Sequence, residues 1–364
     1  MDASVPVCAT PPHPGCQPEA IRQAALGDPG FGRHFTDHVA LLRYTPDRGW
    51  HGGEIAPFAE LGLHPAAIVL HYAQVVYEGM EAYALPDGGA ALFRPQENAR
   101  RLQRSAARLA MQPVPEPLFI EALQALVRAD RCWIPTGPGA ALYLRPFLMG
   151  TEATLGLKAS SDYLFCVIAS PVGNFFGPGA APLRLWVSES INRAGPGGTG
   201  FAKCGGNYGA SLPAVAEARR EGCDQPVFLD AVERRWVEEL GGMNLFFVFA
   251  DGRLWTPPLS GSILPGVTRD SLLTLARGAG LKVEEAPYSI DEWEGDARSG
   301  QLAEAFACGT AAVVAPVGHL RHRGRDLAIG GGREGPVTTR LRAMLEGIQR
   351  GTAPDPHGWL SRVL

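Results

Sequence analysis

Of the 33 basic residues in this 364-residue chain, only Lys158, Lys203 and Lys282 are lysines. Arginine stays charged and cannot serve chemistry that needs a deprotonatable amine. Any catalytic amine is therefore one of three. Lys203 stands out because residues 197–209 set it among six glycines, with Tyr208 close behind. Backbone without Cβ lets a bound molecule approach closely. The loop is not a Walker A motif, since Ala202-Lys203-Cys204 stands where Gly-Lys-Ser/Thr is required, and it lacks the Gly-x-Gly-x-x-Gly dinucleotide pattern. A flexible loop carrying an exposed lysine is the competing reading. Lysine scarcity and the neighbouring Tyr208 favour a carbonyl-binding amine.

Other groups could serve the same chemistry. Glu238 and Glu239 precede an apolar run, and in extended backbone only one of them points inward. A buried carboxylate needs a cationic partner, such as a protonated pyridine nitrogen; a solvated acidic pair is the plain alternative. Residues 264–270 open an apolar helical stretch, so the amides of Val267 and Thr268 fall at a helix N-terminus, which favours phosphate or is merely a turn with a capping Thr. Thr310 and Ala311 follow Gly309 in a run of small residues suited to close anion approach or to a tight turn. Tyr143 and Arg145 share one face of an expected strand, an aromatic surface beside a guanidinium able to fork onto a carboxylate, or else part of a structural ion pair.

These side chains need elements to hold them. The length implies two domains, and 46% hydrophobic with 19% charged residues describes a globular chain. Residues 1–18 read as a frayed segment and 19–169 as a small α/β domain, with strands at 66–76, 91–94, 141–148 and 163–169 and helices at 97–111 and 118–129. Residues 170–182, rich in Gly and Pro, read as a linker. Residues 183–364 read as a larger β-rich domain with flanking helices after Thr268 and Pro336 and a hairpin at Asp251-Gly252. Strands and helices do not alternate regularly enough for a doubly wound sheet.

A net charge of −4 and a short basic run at Arg321, His322, Arg323 and Arg325, read as a solvated hairpin, argue against nucleic acid. Small molecules are the expected partners. Histidine spacing predicts no metal, and the seven scattered cysteines predict no disulfide framework. The absence of a spanning apolar run and of a signal-like start predicts a cytoplasmic protein away from the membrane.

Taken in order, residues 71–80, Phe93-Arg94-Pro95, the Lys203 loop, the Glu239 segment, residues 264–270 and Gly309-Thr310-Ala311 resemble the branched-chain amino acid aminotransferases, fold type IV pyridoxal-phosphate enzymes. The likeness runs from about Phe35 to Leu360. It implies a two-domain α/β (α+β) homodimer that binds pyridoxal 5'-phosphate and moves amino groups reversibly between leucine, isoleucine or valine and 2-oxoglutarate, giving branched 2-oxo acids and glutamate. By the resemblance, Lys203 forms the Schiff base and shuttles the proton, Glu239 pairs with the pyridine nitrogen and Tyr208 with the phenolic oxygen. Arg101, Thr310, Val267 and Thr268 hold the phosphate. Phe35, Tyr72, Tyr77, Tyr143 and Phe175 line the aliphatic pocket, Thr310 and Ala311 meet the α-carboxylate, and Arg145 receives the second carboxylate of glutamate. Tyr77 and Phe175 stand where relatives often have Phe and Tyr, and Ala312 with Ala315 replace a Cys-x-x-Cys of the mammalian enzymes. The rival readings are a D-amino acid transaminase or an aminodeoxychorismate-type lyase of the same fold, a non-catalytic binder, and an ATP-using enzyme.

Overall fold

The computed structural model describes residues 15–173 and 181–364. It divides into two units: unit 1 takes Met1–Gly177, Ala202–Gly205 and Ile348–Leu364, and unit 2 takes Pro178–Phe201 and Gly206–Gly347. The four residues around Lys203 and the C-terminus both belong with unit 1. A return crossing of this kind leaves no compositional mark.

Unit 1 contains α1 (Glu19–Gly27), β1 (His38–Thr45), β2 (Gly49–Pro57), α2 (Ile68–Tyr72), β3 (Val75–Tyr77), β4 (Met80–Ala84), β5 (Ala90–Phe93), α3 (Pro95–Arg108), α4 (Glu116–Ala129), β6 (Ala141–Gly150) and β7 (Tyr163–Val172). A C-terminal strand, Leu360–Arg362, pairs antiparallel with β5 and closes one edge of an eight-stranded sheet. Strands β6 and β7 are apolar almost throughout and buried along nearly their whole length, as strands covered on both faces must be. Pro95 at the start of α3 has the fixed φ that suits a first helical turn. One side of α3 buries Ala99, Leu102 and Ala106, which share a core with Phe119, Leu123 and Leu126 of α4. That side also carries buried Asn98, Arg101 and Ser105.

The strand expected over residues 66–76 is instead a short helix and a turn before β3. Short apolar runs carry no period that separates helix from strand. Ala67 and Ile68 are buried, Leu70 and Tyr72 are exposed, and Ala73 at φ 50° ends the helix in the left-handed region.

Unit 2 contains β8 (Leu183–Ser188), α5 (Gly205–Arg220, whose first residue belongs to unit 1), β9 (Gln225–Leu229), β10 (Val237–Leu240), β11 (Asn244–Phe249), β12 (Arg253–Thr256), α6 (Val267–Gly278), β13 (Lys282–Glu285), α7 (Ile290–Ser299), β14 (Leu302–Gly309), β15 (Val313–His322), β16 (Arg325–Ala328) and α8 (Pro336–Gln349, whose last two residues belong to unit 1); the C-terminal strand is then β17. Its sheet is mixed. The order β10-β9-β8-β15-β14-β11 closes on itself through a β10–β11 pairing of Glu239 with Asn244, and β12 and β13 extend it. The basic run does form a hairpin, β15 to β16, but His322 is buried, with Nδ1 2.6 Å from Glu294 Oε1. An ion-pair partner distant in sequence draws that side chain in, contrary to the solvated expectation.

Candidate active site

In unit 1 the backbone of Lys203 is pinned twice. Its N–H donates to Ser105 Oγ at 2.9 Å, and its carbonyl accepts the Tyr77 N–H at 3.0 Å. The Lys203 Nζ lies 4.9 Å from the Tyr77 ring centroid, and the Arg145 guanidinium lies 4.8 Å from the same ring and 5.3 Å from that of Tyr143. Arg145 Nη2 donates to the Tyr143 hydroxyl at 2.9 Å. Tyr77 is therefore an electron-rich surface for two cations. The loop backbone is thus held at Lys203, whose side chain is half-buried.

A cavity of about 240 Å³ beside these residues is lined by Phe31, Gly32, Phe35, Tyr143, Arg145, Ile168, Ala169 and Ser170. Apolar walls with one guanidinium suit a small aliphatic chain or a carboxylate. Phe35, Tyr143 and Arg145 are brought together on this cavity. Tyr72 is not: it is 41% exposed on α2 and its hydroxyl donates to the Leu155 carbonyl. Phe175 lies outside the described residues. Sequence reading missed Phe31, which meets Tyr143 edge-on at 5.1 Å, and Ile168.

Arg101 is buried, with Nε and Nη2 each 2.7 Å from an oxygen of Glu78. Asn98 Nδ2 adds a 2.7 Å bond to the same carboxylate, which is fully buried. A fork-to-fork pair of this kind fixes the guanidinium plane, so an anion meets a preset geometry. Glu78 and Asn98 were not foreseen as site residues, although Glu78 adjoins Tyr77 in the matching segment.

In unit 2, Glu239 is buried, and its Oε1 accepts from the Leu264 N–H at 2.9 Å and lies 2.7 Å from Arg193 Nη1. Glu238 faces the other way, as alternation requires, yet it is also buried and accepts a short hydrogen bond from Ser262. The expectation that one carboxylate would reach solvent fails because both sides of β10 are covered. Burial pushes the Glu238 carboxyl above its ordinary range, with the Ser262 hydrogen bond opposing.

Helix α6 begins at Val267 with Gly266 as N-cap and no side-chain cap, so the amides of Val267 and Thr268 sit at the positive end of a twelve-residue helix. Gly266 is required there: a Cβ would lie 2.2 Å from Asn244 Oδ1. Thr310 and Ala311 occupy the turn between β14 and β15, and Val313 closes it at φ 50°, a costly conformation for a β-branched residue. Burial pushes the neighbouring Cys308 thiol up to about 12, leaving it inert at neutral pH.

The residues fit pyridoxal phosphate chemically. Unit 2 offers a buried carboxylate for a pyridinium, the Tyr208 phenol, and helix-end amides with Thr310 for phosphate; unit 1 offers an anchored amine and a braced guanidinium. Among the described residues, no group of three or more His, Cys, Asp or Glu side chains could hold a metal ion. No helix there is long and apolar enough to cross a membrane.

Comparison with known proteins gives the family. Residues 75–320 match the family described as amino-transferase class IV. A probable branched-chain-amino-acid aminotransferase of Streptomyces coelicolor is 54% identical over 94% of this chain and 94% of its own. The solved Escherichia coli branched-chain amino acid aminotransferase is similar at a TM-score of 0.74 and 31% identity, covering 90% of this chain and 99% of that one. A branched-chain amino acid aminotransferase from T.th., solved with pyridoxamine 5'-phosphate, gives 0.73 and 32%, covering 89% and 99%. The chain is a class IV aminotransferase and belongs, within that class, to the branched-chain-amino-acid aminotransferase family.

Proposed function

We propose that this enzyme transfers amino groups between leucine, isoleucine or valine and 2-oxoglutarate, with pyridoxal 5'-phosphate attached at Lys203. The observation that carries the reading is the double anchoring of Lys203 against Tyr77 beside a cavity with apolar walls and one guanidinium. When bound, the cofactor supplies an aldehyde carbon for the amine and a ring that takes up electrons as the substrate Cα–H bond breaks.

The residues divide the work. With the cofactor bound and the substrate amine in place of the lysine on it, the freed Lys203 Nζ would be the group that takes up and moves the proton of the substrate Cα. Glu239 would hold a proton on the ring nitrogen, and Tyr208 would donate to the phenolic oxygen. Arg101, braced by Glu78, would hold the phosphate from unit 1, and the Val267 and Thr268 amides with Thr310 would hold it from unit 2. Phe35, Tyr77 and Tyr143 bound the space for the aliphatic chain, and Phe31 adds a wall. Thr310 and Ala311 amides bind the α-carboxylate. Arg145, resting on Tyr77 and Tyr143, accepts the side-chain carboxylate of glutamate, so one pocket serves an apolar and an anionic chain.

The reading includes a cytoplasmic homodimer, as the family likeness implies; exposed Tyr72, bonded to the carbonyl of exposed Leu155, suits a subunit face. The test is a panel of amino donors against 2-oxoglutarate, read as kcat/KM, with molar mass measured by light scattering. Leucine, isoleucine and valine should lead alanine and aspartate by at least about tenfold, the discrimination a few buried methylenes provide. Preference for a D-amino acid, or activity without an oxo-acid acceptor, would favour the same-fold rivals.

A further inference from the structure

We propose that Arg193 is a positioning residue for amino transfer: it keeps Glu239 an oriented, ionised carboxylate and so sets how firmly that carboxylate grips the cofactor's ring nitrogen. This rests on the role given to Glu239 above. Arg193 lies in the short segment after β8, and nothing in its sequence surroundings marks it. Its side chain is 2% exposed and that of Glu239 3%, with Arg193 Nη1 2.7 Å from Glu239 Oε1.

The same Nη1 donates to the carbonyls of Ser262 at 3.0 Å and Gly200 at 3.3 Å. Gly200 leads within three residues to Lys203. The Ser262 segment leads to Leu264, whose N–H donates to Glu239 Oε1 at 2.9 Å. The two segments are packed tightly, for a Cβ at Gly200 would lie 2.2 Å from the Ser262 carbonyl oxygen. One guanidinium thus ties together the carboxylate, the loop that carries the amine and the turn that precedes α6. It also lies 5.9 Å from the Tyr208 ring centroid.

A carboxylate buried this deeply without a cation takes up a proton, and a neutral acid no longer favours a positive ring nitrogen. Stability alone does not account for the arrangement. Arg193 Nε is buried and has no hydrogen-bond partner among the described residues, and an unmade bond of that kind costs stability. Glu238 is no substitute, since it faces Ser262 on the other side of β10.

A double-mutant cycle on the holoenzyme tests the idea, with Arg193→Gln, Glu239→Gln and the pair. Dissociation of pyridoxal phosphate and the visible band of the bound cofactor are the readouts, and melting of the cofactor-free protein is the control for a merely structural role. Each single change should weaken cofactor binding by about tenfold or more, the scale of one charge-assisted hydrogen bond, and should alter the band alike. The double variant should stay within about threefold of Glu239→Gln, because both changes remove one interaction. If Arg193→Gln does not fold, Arg193→Lys is read the same way: its effect should vanish when Glu239→Gln is already present. A wild-type affinity and band at Arg193→Gln, or effects that multiply in the pair, overturn the proposal. A wild-type band and affinity at Glu239→Gln would instead remove the role of Glu239, and this inference with it.

Discussion

The Lys203 backbone N–H donates to Ser105 Oγ, joining a loop residue to the buried side of α3 across 98 positions of sequence. Asn98, Arg101 and Ser105 recur on that helix at helical spacing, and the first two reach Glu78, the residue after β3. The helix that closes the unit 1 core therefore also holds the backbone of Lys203, the proposed amine, and the proposed phosphate ligand Arg101. Ser105→Ala removes the acceptor and leaves a buried N–H unsatisfied, at a cost of about 1–3 kcal/mol. The expected outcome is a lower melting temperature and a kcat reduced more than KM is raised. An unchanged kcat would show that the amine needs no such anchor.

Gly79 makes room for Tyr143. A Cβ at Gly79 would lie 2.1 Å from the Tyr143 hydroxyl oxygen. Gly79→Ala must displace the phenol and with it the Arg145 contact, at a cost of about 1–3 kcal/mol for overpacking. KM for both substrates should rise. A crystal structure of the variant with Tyr143 unmoved would contradict this.

Arg145→Gln should separate the two half-reactions. Loss of a charge-assisted bond of about 1.5–3 kcal/mol lowers kcat/KM for glutamate by about ten- to a hundredfold. Leucine, which has no second carboxylate, should change far less. Equal losses for both amino acids would assign Arg145 to the pocket's structure alone.

Glu238 gives a pH signature. Its carboxyl is raised by burial from an ordinary value of 4.5, so the folded protein holds that proton more tightly than the unfolded chain does. Its contribution to stability is whole below the unfolded value and is lost as pH rises through the folded one. Glu238→Gln should remove this decline, leaving the variant relatively more stable at neutral than at acidic pH. Melting curves across that range check it, and parallel profiles for the two proteins would refute it.

What was legible in the sequence was what the chain states locally. Lys203 is marked by rarity and by glycines, Glu239 by its place before an apolar run, Val267 by a turn and helix start, and Tyr143 with Arg145 by strand alternation. Glu78 could have been read only by knowing that α3 packs behind it, and Arg193 only by knowing that β10 and the Ser262 segment converge on it. The short helix at Ile68–Tyr72 escaped because five residues carry no period, and the burial of Glu238 because it depends on cover supplied from elsewhere in the sheet.

The central claim is that the cofactor is bound through Lys203 Nζ. Borohydride reduction of the yellow holoenzyme followed by peptide mapping tests it directly. The account predicts a phosphopyridoxyl group on the peptide containing Lys203 and on neither Lys158 nor Lys282. Label on another lysine, or none in a protein that still transfers amino groups, would contradict it.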